Sequence, residues 1–455
     1  MIAGEGHRLN EGALAPVADE VSMRAELVEG VIPRGLNGTL LRNGPNPFNG
    51  TFAGNDMLDW WPEAAMLHSI TLNQGRPARY TNRWIRTVGW ADYHQKEAAH
   101  LVASNPNVAV IQHAGSILAL AEGGPPVCVT EQGATLGLPT THQAMHKGAS
   151  AHPKIDPDTQ TLMSFRSSWE NLFIDYSEFS PEGDEQVHRE IPLDQYPEHI
   201  NTPPMTHDMA ITEHHSVLFD LAVGYDFSML EHGFRIPIQW QPDRGARFCI
   251  VPRPAREGEN RVHWVEIEPC FIQHVINAYE PDHGRIILDV VRYPWFLKLD
   301  NQMQMTRNPL GIPWRYEIDL THGRVSETEL SDHCLELPRI NDRYTGRAYR
   351  YFYAAAQPSD VEMRGVVRFD VRTGTLEEHF IPPGDQNSEP IFVPHPDGRE
   401  EDDGWVLVCV YRRKSHTSEL LVLNAQDISG PPIARLTLNR RIPAGFHGAW
   451  VATPT

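Results

Sequence analysis

Long helical periodicity is nearly absent from this 455-residue chain, and its 37 prolines and 34 glycines punctuate the whole length. Between them lie short runs rich in β-branched and aromatic residues, such as Thr161–Phe165, Arg285–Val291 and Trp405–Val410. Turn-forming clusters recur between such runs: Asp156–Thr159, Pro281–Gly284, Asp319–Gly323 and Asp370–Gly374. Asp and Gly at those points supply local side-chain hydrogen bonds or positive φ for tight hairpins. The pattern predicts an all-β protein of many short strands. Repetition over this length suits a β-propeller, whose radial blades leave only short, protected edges. The repeats diverge too far for a count to fix the blade number. No composition break marks a boundary, so a single domain over 1–455 is expected, with 1–30 as an N-terminal extension packing on it.

Composition narrows the function classes. Forty per cent hydrophobic and 22% charged residues suit a packed soluble protein. A formal charge of −20 disfavours nucleic acid or an anionic membrane as a long-range electrostatic partner. Five scattered cysteines form no Cys-x-x-Cys pair, so free buried thiols are expected rather than a disulfide framework or zinc knuckle. Residues 1–20 lack a signal-peptide apolar core, and no apolar run reaches membrane-spanning length. The expected location is cytoplasmic. A peripheral membrane contact through a small apolar patch stays open, and no protein partner is implied.

Four of the 23 histidines stand at the edges of apolar, strand-like stretches: His152, His207, His274 and His447. Imidazole is the commonest metal ligand, and four neutral nitrogens suit a divalent transition metal. With all four on one six-coordinate ion, two positions would stay open for small molecules. The intervals between them span about one blade, a little more than one, and several blades. Such intervals are odd for a local metal motif and natural for a site on a propeller axis. Four unrelated histidines would also satisfy them.

Seven segments in order sharpen the reading: Leu36–Pro47, Ala151–Asp156, His207–Glu213, His274–Glu280, Glu336–Asn341, Ser388–Pro394 and Phe446–Trp450. Together they make the chain, from about Gly35 to Val451, resemble the carotenoid cleavage oxygenases, a family of carotenoid-, apocarotenoid- and stilbene-cleaving enzymes. The resemblance implies a seven-bladed β-propeller with an axial metal site and a loop and short-helix cap over one face. It implies Fe(II) held by His152, His207, His274 and His447. It further implies three supporting carboxylates, Glu122 for His207, Glu336 for His274 and Glu389 for His447, with none for His152. A carboxylate on one ring nitrogen fixes the tautomer, so the other nitrogen presents its lone pair to the metal. The implied reaction is O2-dependent cleavage of a conjugated C=C bond in an apolar substrate to two carbonyl products.

Two departures from the family bear on substrate. A family stretch with two glycines reads here Trp60–Met66, without glycine, so a turn needing positive φ must be reshaped. Stilbene-cleaving relatives place Lys before the first supporting Glu, whereas Ala121 precedes Glu122 here. That favours a carotenoid or apocarotenoid over a hydroxystilbene, with other aryl-alkenes left open. Trp60, Trp61, Trp84, Phe271 and Phe446, near the motifs, are candidates to line an apolar tunnel, with core packing the competing role. His142 and His146 are expected at the surface, and His214 and His215 at a strand end. Gly-x-Ser-x-Gly, P-loop and dinucleotide-binding fingerprints are absent.

Two other functions compete. An isomerase or isomerohydrolase would use the same iron site without incorporating O2. A calcium-dependent propeller hydrolase or binding protein would need oxygen ligands around the axis.

Overall fold

The computed structural model describes residues 8–54, 56–73, 76–168, 172–193, 196–253 and 261–453. Residues 1–7 of the expected extension lie outside them. Seven sheets of four or more strands, plus one two-stranded ribbon, account for the strands of the described residues. Among the described residues the α-helices are single short segments, Met57–Trp60, Val88–His94 and Ser228–Glu231. None of the described helices is long and apolar enough to cross a membrane.

By its contacts the chain divides into two compact units. One comprises Met1–Ala149, Met363–Arg368 and Glu377–Thr455; the other comprises Ser150–Glu362 and Phe369–Leu376.

In the first unit, strand Gly38–Pro45 pairs with Ala65–Leu72 on one side and with the late strand Gly448–Ala452 on the other. Ser22–Arg24 forms the far edge of that sheet, on Arg79–Trp84. Glu26–Gly30 adds to a second sheet built from residues 386–437, pairing with Ala434–Thr437. Each of these sheets thus joins early and late chain. Gly38–Pro45 is buried at every position, which its apolar residues and close-packing glycines permit. A Cβ at Gly448 would sit 2.4 Å from the Leu41 carbonyl oxygen, so this pairing admits only glycine there.

In the second unit the four-stranded sheets are antiparallel, and the last strand of each is the most exposed. Phe271–Asp282 and Arg285–Tyr293 are mostly buried, whereas Arg324–Glu329 at the end of the same sheet is almost wholly exposed. That gradient is how a blade's inner strands differ from its outer ones. The Asp-led turns close the hairpins as their sequence suggests. Asp319 accepts from the Thr321 and His322 amides, and Gly323 takes φ +61°.

Glu280, on strand Phe271–Asp282, ties this sheet to its neighbour. Its carboxylate accepts from the Thr212 hydroxyl, the His214 amide and Nδ1, and the His215 Nδ1. Burial would raise its pKa, but those bonds hold it down to about 2. A depressed carboxyl pKa contributes stability that is complete above the unfolded value near 4.5 and is lost as pH falls toward 2. The predicted contribution is roughly 3 kcal/mol. Acid titration of wild type and Glu280→Gln checks it: the variant should lose much of the wild type's stability gain between pH 2 and 4.5. Parallel curves for the two proteins would refute the assignment.

Candidate metal centre

Three imidazoles of the second unit converge. His152 Nε2 lies 3.1 Å from His207 Nε2, and the ring of His274 stands 5.4 and 5.3 Å from theirs, centre to centre. Each arrives on a locally irregular stretch. His152 precedes the two-residue strand Lys154–Ile155, and its amide donates to Ser150 Oγ. His207 precedes Ala210–Ile211, fixed on one side by Thr206, whose hydroxyl donates to the Phe219 carbonyl. His274 lies on Phe271–Asp282 between register shifts at 272/274 and 275/277. Such bulges re-aim a side chain out of the regular alternation.

Glu336 holds the His274 ring. His274 Nδ1 donates to Glu336 Oε2 at 2.5 Å, the Leu337 amide reaches the same oxygen at 2.6 Å, and the Tyr293 hydroxyl donates to Oε1 at 2.5 Å. Burial pushes this carboxyl up, and the His274 ring, Tyr293 and the Leu337 amide more than offset it, holding it below the usual carboxylate range. The backbone is strained to do so. Leu337 takes φ +54° immediately before Pro338, in a strand whose register breaks between Glu336 and Arg339. A non-glycine residue held there costs about 1–3 kcal/mol.

In the first unit His447 is buried at the start of Gly448–Ala452. Its Nδ1 donates to Glu389 Oε1 at 2.9 Å, while the Gly448 amide donates to Oε2 at 2.8 Å. Its backbone is clamped as well, by its own amide to the Val108 carbonyl and by the Asn43 amide to its carbonyl. Glu122 lies half-buried in the turn after strand Ser116–Leu120, where Gly123 and Gly124 exchange backbone bonds with Ala149.

With Nδ1 of His274 and His447 donating to carboxylates, their Nε2 atoms carry the lone pairs. The spacing of the second unit's pair also fits a shared cation. Metal–nitrogen bonds of about 2.1 Å at right angles put adjacent nitrogens about 3 Å apart. Imidazole donors suit iron, zinc, copper or nickel rather than calcium. A second group, Asp175, His188 and Glu190, does not compete. Its aspartate is already paired with Arg166, and His188 and Glu190 lie on the exposed outer strand Glu185–Pro192.

Comparison with known proteins decides the family. Residues 14–452 match the family profile described as retinal pigment epithelial membrane protein. A carotenoid cleavage oxygenase of Mycobacterium tuberculosis is 30% identical, the match covering 97% of both chains. The chain belongs to the carotenoid cleavage oxygenase family. It is also 29% identical to an apocarotenoid-15,15'-oxygenase of Synechocystis, over 94% of this chain and 93% of that one. A cobalt-substituted apocarotenoid oxygenase from Synechocystis superposes with a TM-score of 0.82 at 27% identity, covering 96% of this chain and 97% of that one. The fold class is accordingly the seven-bladed β-propeller.

One sequence expectation fails. His142 is not at the surface but fully buried, with φ +54°. Its Nε2 meets His113 Nδ1 at 2.8 Å and its Nδ1 meets Thr141 Oγ1 at 2.8 Å. Those partners make burial tolerable, and burial with His113 beside it pushes its pKa down to about 4. His146 is half-buried against the Pro139 carbonyl, and His215 opens strand His215–Asp220.

The aromatic candidates separate. Trp60 packs its ring 5.0 Å from Phe446, the residue before His447. Trp84 donates to the Asn46 carbonyl and Phe271 stacks on Phe296 at 4.7 Å, both contacts of the core. The glycine-free stretch is held by side chains instead of a positive-φ turn. Asn105 donates to the Pro62 and Glu63 carbonyls, and Asn107 to those of Trp61 and Glu63.

Proposed function

We propose that this chain is a non-haem Fe(II)-dependent dioxygenase that cleaves a conjugated C=C bond of a carotenoid or apocarotenoid. The observation that carries the reading is a set of histidine nitrogens. In the second unit His152, His207 and His274 each offer one within 4.8 Å of the others, and in the first unit His447, its Nδ1 bonded to Glu389, keeps Nε2 as a donor. In this reading all four hold the iron, with Glu336, Glu389 and Glu122 orienting His274, His447 and His207. The chemistry a ferrous ion supplies when bound is activation of O2 toward a closed-shell alkene.

The protein's own part is orientation. Glu336 and Glu389 fix tautomers by accepting from Nδ1. Trp60 and Phe446 offer apolar faces beside His447 for a conjugated chain. Holding that chain in register selects one double bond among several similar ones. The overall reaction consumes one C=C bond and one O2 and releases two carbonyl products, so it needs no general base. The five free thiols suit a reducing cytoplasm.

Aerobic incubation of iron-loaded protein with a panel of apocarotenoids under isotope-labelled O2 tests this. The expected result is a pair of carbonyl products, each carrying label. Unlabelled, isomerised product would replace the oxygenase with an isomerase on the same site.

A further inference from the structure

Asp208 directly follows His207, and its carboxylate touches all three histidine-bearing segments of the second unit. Oδ1 pairs with Lys154 Nζ at 2.7 Å, two residues beyond His152. The same oxygen accepts the Met209 amide at 2.7 Å, bracing the segment that carries His207. Oδ2 accepts the Val275 amide at 2.8 Å, one residue beyond His274. Val275 is flanked by the two register shifts of its strand. The Asp208 side chain is 2% exposed and that of Lys154 20%, so the ion pair is largely shielded from water.

We propose that Asp208, neutralised by Lys154, is a positioning residue that sets the mutual spacing of the His152, His207 and His274 rings. Each supporting glutamate orients a single ring, whereas one carboxylate here joins three segments, two through backbone amides and one through the Lys154 side chain. His152 is reached through Lys154, two residues on at the start of strand Lys154–Ile155. This inference rests on the metal reading of the three histidines. It adds that their preorganisation comes from a buried ion pair one and two residues away from them.

Two measurements separate the claims. Hydrogen exchange on metal-free protein compares wild type with Asp208→Asn, an isosteric change that keeps one acceptor. Exchange should rise together in peptides spanning 151–156, 204–210 and 272–277, and stay at wild-type rates in the hairpin 173–192. Unchanged protection at 272–277 would overturn the inference. Co(II) titration, followed by its visible absorption, then reads the spacing of the rings. Asp208→Asn and Lys154→Met should each weaken Co(II) binding by roughly tenfold, whereas Lys154→Arg stays within about twofold of wild type. The double variant Lys154→Met/Asp208→Asn leaves no buried unpaired charge, so it folds if charge burial alone troubles the single variants. It should bind Co(II) no better than Asp208→Asn. Wild-type affinity in the double variant would refute a positioning role. Wild-type protein that takes up no Co(II) would instead refute the metal reading, leaving the exchange data to decide Asp208.

Discussion

His274→Ala is expected to purify folded, to lose stoichiometric Fe(II) or Co(II), and to cleave no alkene above background. Three features constrain the His274 ring. Its strand is bulged on both sides of it, Glu336 takes its Nδ1 proton, and the ring is buried. Alanine removes a donor that Glu336 cannot replace, because its carboxylate lies on the Nδ1 side of the ring. Losing a supporting partner costs 10–100-fold in metal affinity, so losing a ligand should exceed roughly 100-fold. The fold should survive, since Glu336 keeps the Tyr293 hydroxyl and the Leu337 amide. The expected stability loss is about 1–3 kcal/mol, from a carboxylate with one fewer donor. Elemental analysis and circular dichroism melting on one preparation decide it. A variant that retains one equivalent of metal with full cleavage would remove His274 from the centre.

What the sequence made legible follows from how local each interaction is. The hairpin turns could be read because Asp319 and Asp370 bond amides two or three residues on. The histidine motifs could be read because each of the four histidines sits in a short, distinctive segment. Asp208 could not: an aspartate after a histidine usually reads as solvated, and only tertiary structure brings Lys154 and Val275 to it. The αL conformation of Leu337 runs against its own sequence, since a following proline favours extended backbone. Asn105 and Asn107 had no signal at all, because they brace a stretch some forty residues earlier whose glycines are missing. His142 misled for a related reason. A Thr- and Gly-rich surrounding suggests exposure, but a partner 29 residues away, His113, satisfies the buried ring.

The two supporting glutamates should respond differently to the same isosteric change. Glu389 receives an N–H donor on each oxygen, from His447 Nδ1 and the Gly448 amide. A glutamine there must turn its amide NH2 toward one of them, so donor faces donor whichever way it flips. Glu336 receives two N–H donors on Oε2 but a hydroxyl on Oε1. A hydroxyl can reverse and accept, so Glu336→Gln can keep its oxygen on His274 and the Leu337 amide while its NH2 donates to Tyr293. Arg42, buried in the same unit, also acts electrostatically on Glu389, so neutralising that carboxylate disturbs a second buried charge. Glu389→Gln is therefore expected to weaken Co(II) binding by roughly 100-fold and Glu336→Gln by roughly tenfold, the two ends of the range for such partners. An unsatisfied buried donor adds about 1–3 kcal/mol to the stability cost of the first change only. Combining Glu336→Gln with Tyr293→Phe removes the reversible hydroxyl, leaves the new NH2 without an acceptor, and should bring the loss up toward that of Glu389→Gln. Equal losses in the two single variants would mean that net charge, rather than the direction of each hydrogen bond, governs how these carboxylates support the rings.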